Sequence, residues 1–342
     1  GVQTCALPIW QKPALPWAFT GIMVLGAGIL MGGAWAYESL SFGGFWAWDP
    51  VENASLVPWL TFVGAAHVMV IHKNKGQSLL VTFVLTIITF ILILYSTFLT
   101  RSGILGDTSV HAFTDLGMSG QLLLYLFTFL LLAIFLLAKN WKHFPKNETE
   151  ESVWSREFWM FVGAMVLAVS AFQIIFTTSI PVINKIFGSN IAPPTEPIRH
   201  YNSFQVWEAI VVAVLIAVGQ YFKYKKTEMN VFLKNISWSF FAAIISTALL
   251  GYFLELFSLK QIPYLILLLC SLFAISANAG YFITILKWNV KLSGASVAHV
   301  GFGMILLGAL ISMSKQQTIS RNTSGVDLEK IGDDFPNAEN IM

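Results

Sequence analysis

Two histidines of this chain lie where a metal-binding side chain is most informative. His67 and His299 each fall inside a long apolar stretch, whereas the other four of the six histidines fall between such stretches or at their ends. An ionisable side chain within a membrane span is costly, so it usually faces a partner or a cavity. Neutral imidazole is also a common ligand of transition metals. We therefore predict that His67 and His299 form a ligand pair, with polar packing between helices as the alternative.

A tryptophan-rich loop is the second stretch that could do chemistry. In GGFWAWDPVENAS (Gly43–Ser55), Trp46 and Trp48 stand close together and are followed by Asp49 and Glu52. A belt of aromatic residues at the membrane surface would explain any one of these tryptophans, but it would not concentrate them at one helix end. Large aromatic faces stack on planar ligands, and glycines let the backbone approach closely. The loop therefore predicts a surface for a planar macrocycle such as haem, and the two acids either orient that ligand or cap the next helix.

The composition defines the elements that must position these residues. The 342 residues are 56% hydrophobic and 11% charged, which excludes an ordinary soluble globular protein. A net charge of +2 offers no basic surface for nucleic acid. A membrane span needs about 20 apolar residues, and it must be helical to satisfy its own backbone. We predict an all-α, polytopic membrane bundle of about nine transmembrane helices, at 14–37, 54–71, 78–99, 121–138, 158–180, 204–222, 237–256, 263–286 and 294–313.

Basic residues predict which face each loop lies on. Most of the 20 Lys and Arg residues fall in the segments that would share the inner face with the start of the first span. The outer face then carries the loops 38–53, 100–120 and 181–203 and the polar tail 314–342. His67 and His299 both come to lie roughly 6 to 8 Å from the inner face, at a rise of 1.5 Å per residue. His111 and the tryptophan loop come to lie at the outer face, so two separate sites are predicted.

Two further polar residues are placed near these sites. Arg101 follows the third span, and its guanidinium suits a haem propionate unless it is simply an interfacial residue. Asn278 lies on the eighth span at a depth similar to that of the histidine pair. It could bond a ligand imidazole or a propionate, or it could link helices, which is the more common role. Cys5 and Cys270 form no CxxC motif, so any redox chemistry needs a bound cofactor.

Three runs resemble one known family. GGFWAWDPVENAS resembles the tryptophan-rich WWD signature of haem-handling proteins, in the version found in the CcmF family, a haem lyase subunit of cytochrome c maturation. TFLTRSGILGDTSVHAF (Thr97–Phe113) is similar to that family's second outer loop, and SVAHVG (Ser296–Gly301) is similar to its late histidine helix. The resemblance covers nearly everything from about residue 17 to residue 315.

The resemblance implies a function and its cofactors. His67 and His299 correspond to the pair that holds a stable b-type haem, and His111 corresponds to one axial ligand of a second, transient haem beside Trp46, Trp48 and Asp49. The implied activity is that of a haem lyase: haem is reduced through the inner haem and attached covalently to apocytochrome c. The implied partners are a haem chaperone, apocytochrome c with the subunit that presents it, quinol as electron source, and the lipid bilayer. The implied location is a bacterial plasma membrane, with the tryptophan loop outside.

Some alternatives stay open at this point. A haem exporter of the related single-chain type and a cytochrome b electron carrier share parts of the pattern, and the client cytochrome is not defined. Residues 1–9 resemble a non-native leader, so we expect residues 10–313 to form the haem-handling domain. The resemblance implies a further outer histidine before the first span, and either it lies upstream of this chain or the outer site is incomplete and binds haem through His111 alone. We also expect the tail 314–342 to begin a longer outer segment.

Overall fold

The computed structural model describes residues 11–39, 44–106, 108–109, 111, 117–145, 152–224, 227–258 and 262–315. This part of the chain contains α-helices and short 3-10 helices but no strand. The α-helices are α1 (Gln11–Glu38), α2 (Pro50–Lys75), α3 (Leu79–Arg101), α4 (Ser119–Asn140), α5 (Arg156–Thr178), α6 (Ile180–Phe187), α7 (Pro197–Gly219), α8 (Met229–Phe253), α9 (Ile262–Thr284) and α10 (Gly294–Ser314). The 3-10 helices are Trp141–His143, Leu256–Ser258 and Val290–Leu292.

The predicted all-α membrane fold is confirmed. Within the described residues, nine helices are long and apolar enough to cross a membrane, which is every α-helix except the short α6. The predicted leader 1–9 and the tail beyond residue 315 lie outside the described residues, as do residues 40–43 of the loop 38–53 and several residues of the loop 100–120.

Two helices begin at least seven residues earlier than predicted. α7 begins at Pro197 rather than at 204, and α8 begins at Met229 rather than at 237. Proline at the first position of a helix has a suitable fixed φ and needs no hydrogen-bond partner for its nitrogen, so the polar turn before residue 204 is helical. His200, which we placed in the loop 181–203, therefore lies in the first turn of α7, and α6 occupies part of the same loop.

The start of α2 fixes the end of the tryptophan loop. Asp49 is the N-cap, and its side chain accepts a hydrogen bond from the backbone N–H of Val51 at 2.8 Å. Glu52 completes a capping box by accepting from the backbone N–H of Asp49 at 3.1 Å. The capping role considered for these two acids is therefore present in the structure.

The helices pack as two groups. α2 is the centre of the first group and contacts α1, α3 and α5, while α4 packs on α3. α9 is the centre of the second group and contacts α7, α8 and α10. The main packing between the groups is that of α5 against α7. His67 on α2 and His299 on α10 thus belong to different groups.

Contacts between loops agree with the predicted alternation of the spans. At one end of the bundle, Trp48 stacks on Tyr201 and Asp49 contacts Ser109. At the other end, Lys75 lies 3.3 Å from the buried Glu157, and Asn74 donates to Tyr224. The loops that were assigned to one face therefore meet there, although the side of the membrane that each face meets stays a prediction.

Close packing at the crossing of α2 and α5 gives a first test. A Cβ atom built on Gly64 would stand 3.4 Å from the backbone oxygen of Ala164. We expect Gly64→Leu to overpack this crossing and to destabilise the bundle by about 1–3 kcal/mol. Gly28→Leu on α1 is the matched control, because no described atom lies within 4 Å of a Cβ placed there. Thermal denaturation followed by circular dichroism should show a lower midpoint for Gly64→Leu alone, and equal midpoints would contradict this packing.

Candidate functional site

The structure brings the two predicted intramembrane histidines together. The ring centroids of His67 and His299 are 6.3 Å apart, and the ring planes are inclined by only 11°. The two residues lie on different spans and far apart in sequence, so only the tertiary packing creates this pair. The two histidines, which were predicted to lie at equal depth, are therefore also close to each other in the bundle.

The hydrogen bond of His67 defines which nitrogen is available to a ligand. Its Nδ1 lies 2.8 Å from the backbone oxygen of Val63, one turn earlier on α2. A carbonyl oxygen can only accept, so Nδ1 of His67 carries the proton. In a neutral imidazole this leaves the lone pair on Nε2, which is the state that a metal ligand requires.

The spacing of the two rings is compatible with one metal ion held between them. Metal–nitrogen bonds of about 2 Å, with about 1 Å from each nitrogen to its ring centroid, place two imidazole centroids about 6 Å apart. The observed 6.3 Å and the nearly parallel planes agree with that distance. Nitrogen ligands from two sides and apolar surroundings suit a haem iron better than a hard cation such as calcium.

A second ring pair borders the histidines on the side of the tryptophan loop. Trp59 stacks on Phe302 with centroids 6.2 Å apart and planes inclined by 26°. The indole of Trp59 is fixed because its Nε1 donates to the backbone oxygen of Ile22 at 3.0 Å. α2 and α10 therefore face one another through two ring pairs, the two histidines and the Trp59–Phe302 pair.

The other histidine of the pair has a different neighbour. Nδ1 of His299 lies 3.2 Å from Nε2 of Gln220, which caps the end of α7. Gln220 also donates to the side-chain oxygen of Asn278 at 2.6 Å and accepts from Ser296 at 2.9 Å. Asn278 therefore links helices, as the more common of its two predicted roles requires, and it reaches the histidine pair through Gln220.

Trp48 of the tryptophan loop is held by several contacts. Its ring stacks on Tyr201 with centroids 5.0 Å apart, and its Nε1 donates to Asn202 at 2.8 Å. Its carbonyl accepts from the buried Asn53 at 3.0 Å. Trp46 meets Trp48 edge to face, with centroids 5.8 Å apart. One face of Trp48 is thus already covered, which narrows the predicted stacking surface to Trp46 and the remaining face of Trp48.

The backbone of Trp48 adopts a conformation that costs energy. Its φ of 58° lies in the left-handed region, which bulky residues rarely adopt and which costs of order 1–3 kcal/mol. Gly33 on α1 helps to hold the preceding turn, because a Cβ there would stand 2.8 Å from the backbone oxygen of Phe45. The loop is therefore held close to α1 by packing that only glycine permits.

The second outer loop reaches the tryptophan loop through Asp49. Ser109 donates to Oδ1 of Asp49 at 2.7 Å, and Nδ1 of His111 lies 3.3 Å from the same oxygen. The His111 ring also lies 6.4 Å from that of Trp35. A carboxylate beside Nδ1 favours the proton there and leaves Nε2 as the potential ligand atom. The contact thus brings a carboxylate close to Nδ1 of His111, an arrangement that is common among metal-binding histidines.

Glu52 and Arg101 are the two remaining predicted residues at this end of the bundle. One oxygen of Glu52 accepts from the backbone N–H groups of Ala47 and Asp49, while its Oε1 is buried without a hydrogen-bond partner among the described residues. Arg101 is the exposed last residue of α3, at the same end of the bundle as His111.

Four neighbours of the sites were not identified from the sequence: Ser109, Tyr201, Asn202 and Gln220. Ser109 is only two residues from His111, so its position could have suggested a role. The other three lie on α7 or at its end, and no motif surrounds them. Their contacts depend on how α7 is rotated against α2, α9 and α10, which the chain alone does not show.

The comparisons with known proteins relate the chain to cytochrome c assembly. Residues 3–105 match a family model described as "Cytochrome C assembly protein". The chain is 27% identical over 314 residues to the cytochrome c-type biogenesis protein CcmF of Escherichia coli (strain K12), covering 90% of this chain and 47% of that protein. It is 28% identical over 326 residues to CcmF of Pseudomonas fluorescens, covering 89% of this chain and 46% of that protein.

A further relative and a solved structure agree. The chain is 30% identical over 240 residues to the probable cytochrome c-type biogenesis protein NrfE of Escherichia coli (strain K12), covering 70% of this chain and 42% of that protein. A solved structure named "Cytochrome c Heme Lyase CcmF" has the same fold, with a TM-score of 0.66 and 23% identity over 93% of this chain and 48% of that one. The chain spans about half the length of the CcmF relatives that it matches.

The contact of Trp48 with Asn202 gives a second test. Asn202→Leu removes the hydrogen-bond acceptor of the indole, at a cost of about 1 kcal/mol. We expect hydrogen exchange in the segment 46–50 to become about fivefold faster, because that segment depends on the contacts of Trp48. Asn74→Leu, which removes a hydrogen bond to Tyr224 at the opposite end of the bundle, should leave the segment unchanged. Equal exchange in wild type and Asn202→Leu would show that Asn202 does not hold the loop.

Proposed function

The chain belongs with the CcmF-type cytochrome c biogenesis proteins, and from that premise we propose that it handles haem at two sites in one membrane bundle. The inner site, His67 and His299, holds a b-type haem. The outer site, formed by the tryptophan loop and His111, receives the haem that is to be attached to apocytochrome c. The observation that carries the proposal is the pair of nearly parallel imidazoles, 6.3 Å apart, within the same chain as the tryptophan loop.

At the inner site the protein supplies two ligands and a dry environment. Val63 keeps the proton of His67 on Nδ1 and so leaves the lone pair on Nε2 as the potential ligand atom. The ring pair formed by Trp59 and Phe302 would shield the histidines from water on the side of the tryptophan loop. A haem bound here supplies one-electron transfer between a reductant and the outer site. We propose quinol as that reductant, because quinol dissolves in the bilayer that surrounds the bundle.

At the outer site the protein positions a substrate. Asp49 orients His111, whose Nε2 would bind the iron of the incoming haem. Trp46 and the free face of Trp48 would contact its ring, and Arg101 would pair with a propionate. In the attachment reaction, the sulfur of a cysteine thiol bonds to one vinyl carbon while its hydrogen goes to the other, so no net oxidation occurs. Holding the thiols and vinyl groups close together accounts for much of the barrier.

The two proposed haem sites also imply which partners the protein needs. A haem chaperone would deliver haem to the outer site, and a presenting subunit would bring apocytochrome c with its thiols reduced. Both act outside a bacterial plasma membrane if the tryptophan loop faces that side, which agrees with the distribution of basic residues. Export of haem is the second candidate function, favoured by the presence of an inner and an outer site in one bundle.

The inner site is tested by its spectrum. The purified protein should show a low-spin b-type haem spectrum, and His67→Ala or His299→Ala should abolish it because either change removes one axial ligand. His111→Ala and His143→Ala should retain the spectrum, since one lies at the outer site and the other in an exposed 3-10 helix. An unaltered spectrum in both inner variants would overturn the inner site.

The outer site is tested in cells from which the gene for this protein has been deleted and to which a plasmid copy of that gene is returned. Trp46→Ala, Trp48→Ala and His111→Ala should each lower holocytochrome c at least tenfold, measured by haem staining, while the purified variants keep the inner haem. Trp141→Ala is the matched control, because Trp141 is an exposed tryptophan on the opposite face. Normal holocytochrome c in all three outer variants would instead support a cytochrome b electron carrier.

A further inference from the structure

The two histidines of the pair meet opposite kinds of hydrogen-bonding group. Nδ1 of His67 faces a backbone carbonyl, which can only accept. Nδ1 of His299 faces the side-chain amide of Gln220, which presents either a donor or an acceptor depending on how the amide is turned. The orientation of that amide therefore decides where His299 carries its proton.

The orientation of the Gln220 amide is fixed by a chain of contacts that ends on the backbone. Asn278 is fully buried, and its nitrogen lies 3.1 Å from the oxygen of Ile216 and 2.8 Å from the oxygen of Ala274. Because both are carbonyl oxygens, that atom of Asn278 must be the amide nitrogen. The side-chain oxygen of Asn278 then faces Gln220 at 2.6 Å, and only the nitrogen of Gln220 can meet it.

The remaining contacts hold Gln220 in this position. Its oxygen accepts from the buried Ser296 at 2.9 Å. Its own carbonyl accepts from the guanidinium of Arg156, which also donates to Phe222 at 2.8 Å. Turning the amide over would bring two oxygens together at the Asn278 contact. The second N–H of Gln220 therefore points at Nδ1 of His299.

We propose that Gln220 is a positioning residue that holds His299 in the tautomer with its proton on Nε2, the reverse of His67. A neutral imidazole whose Nδ1 accepts a hydrogen bond carries its proton on the other nitrogen. The pair is thus asymmetric: Nε2 of His67 carries a lone pair, whereas Nε2 of His299 carries an N–H group.

The asymmetry has a consequence for haem, which rests on the function proposed above. For His299 to bind iron through Nε2, the proton must leave Nε2 and one must appear on Nδ1, so the number of protons is unchanged. The N–H of Gln220 must then turn away from Nδ1. His67 would then bind iron without rearrangement, whereas iron binding by His299 would compete with the hydrogen bond from Gln220.

The tautomers can be measured without haem. The full chain is produced with 15N-labelled histidine in haem-deficient cells, reconstituted in lipid and studied by solid-state NMR, with His67→Ala and His299→Ala used for assignment. We expect His67 to be protonated on Nδ1 and His299 on Nε2. Gln220→Glu, which places an acceptor at Nδ1, should move the proton of His299 to Nδ1. Gln205→Met, a change on the same helix far from the pair, should move nothing.

Haem affinity gives an independent readout. Gln220→Met removes the competing N–H and should tighten haem binding about fivefold, the equivalent of one hydrogen bond of about 1 kcal/mol. A merely structural role for Gln220 predicts the opposite sign, because its loss would loosen the pair. Weaker binding in Gln220→Met, or Nδ1 protonation of His299 in the wild-type protein, would overturn the inference. If the expected tautomers are found and no variant binds haem, the inference stands and the inner haem site proposed above fails.

Discussion

Hydrocarbon offers no hydrogen bonds, and this constraint orders the bundle. A polar group left unpaired in lipid costs several kcal/mol, so each polar side chain within a span must find its partner on the same helix or on a neighbour. Asn278 meets this need by joining α9 to α7 through the oxygen of Ile216. Asn53 does so by joining α2 to Thr178 on α5 and to the tryptophan loop. The hydrogen bonds of these polar residues thus connect apolar helices at defined positions.

The same constraint explains why the tryptophan loop can keep a strained backbone. The positive φ of Trp48 is offset by hydrogen bonds to Asn53 and Asn202 and by stacking on Tyr201. These partners come from α2 and α7, which lie in different helix groups. The loop conformation therefore depends on the packing of the whole bundle rather than on the local sequence. Its presence indicates that the two helix groups are packed correctly against each other at that end.

Much of the fold, and part of the site, could be predicted from the sequence. Span number and the equal depth of His67 and His299 follow from apolar length and helix rise, which are local properties. The start of α7 was misplaced because the prediction relied on hydropathy and did not consider that Pro197 can begin a helix. Gln220, Tyr201 and Asn202 were missed for a different reason: the choice of partner depends on helix rotation and crossing, which are set by packing over the whole bundle. His111 was proposed as a ligand from its motif and stays a prediction, whereas its contact with Asp49 depends on the packing of two loops and could not be predicted.

The division of the histidine pair between two helix groups also makes the pair sensitive to mechanical displacement. His67 moves with the group centred on α2, and His299 moves with the group centred on α9. A slide of one group against the other changes the gap between the two imidazoles directly, with no intervening loop to absorb it. Binding of another protein to one group alone would therefore change the distance between two imidazoles that the bound protein does not touch.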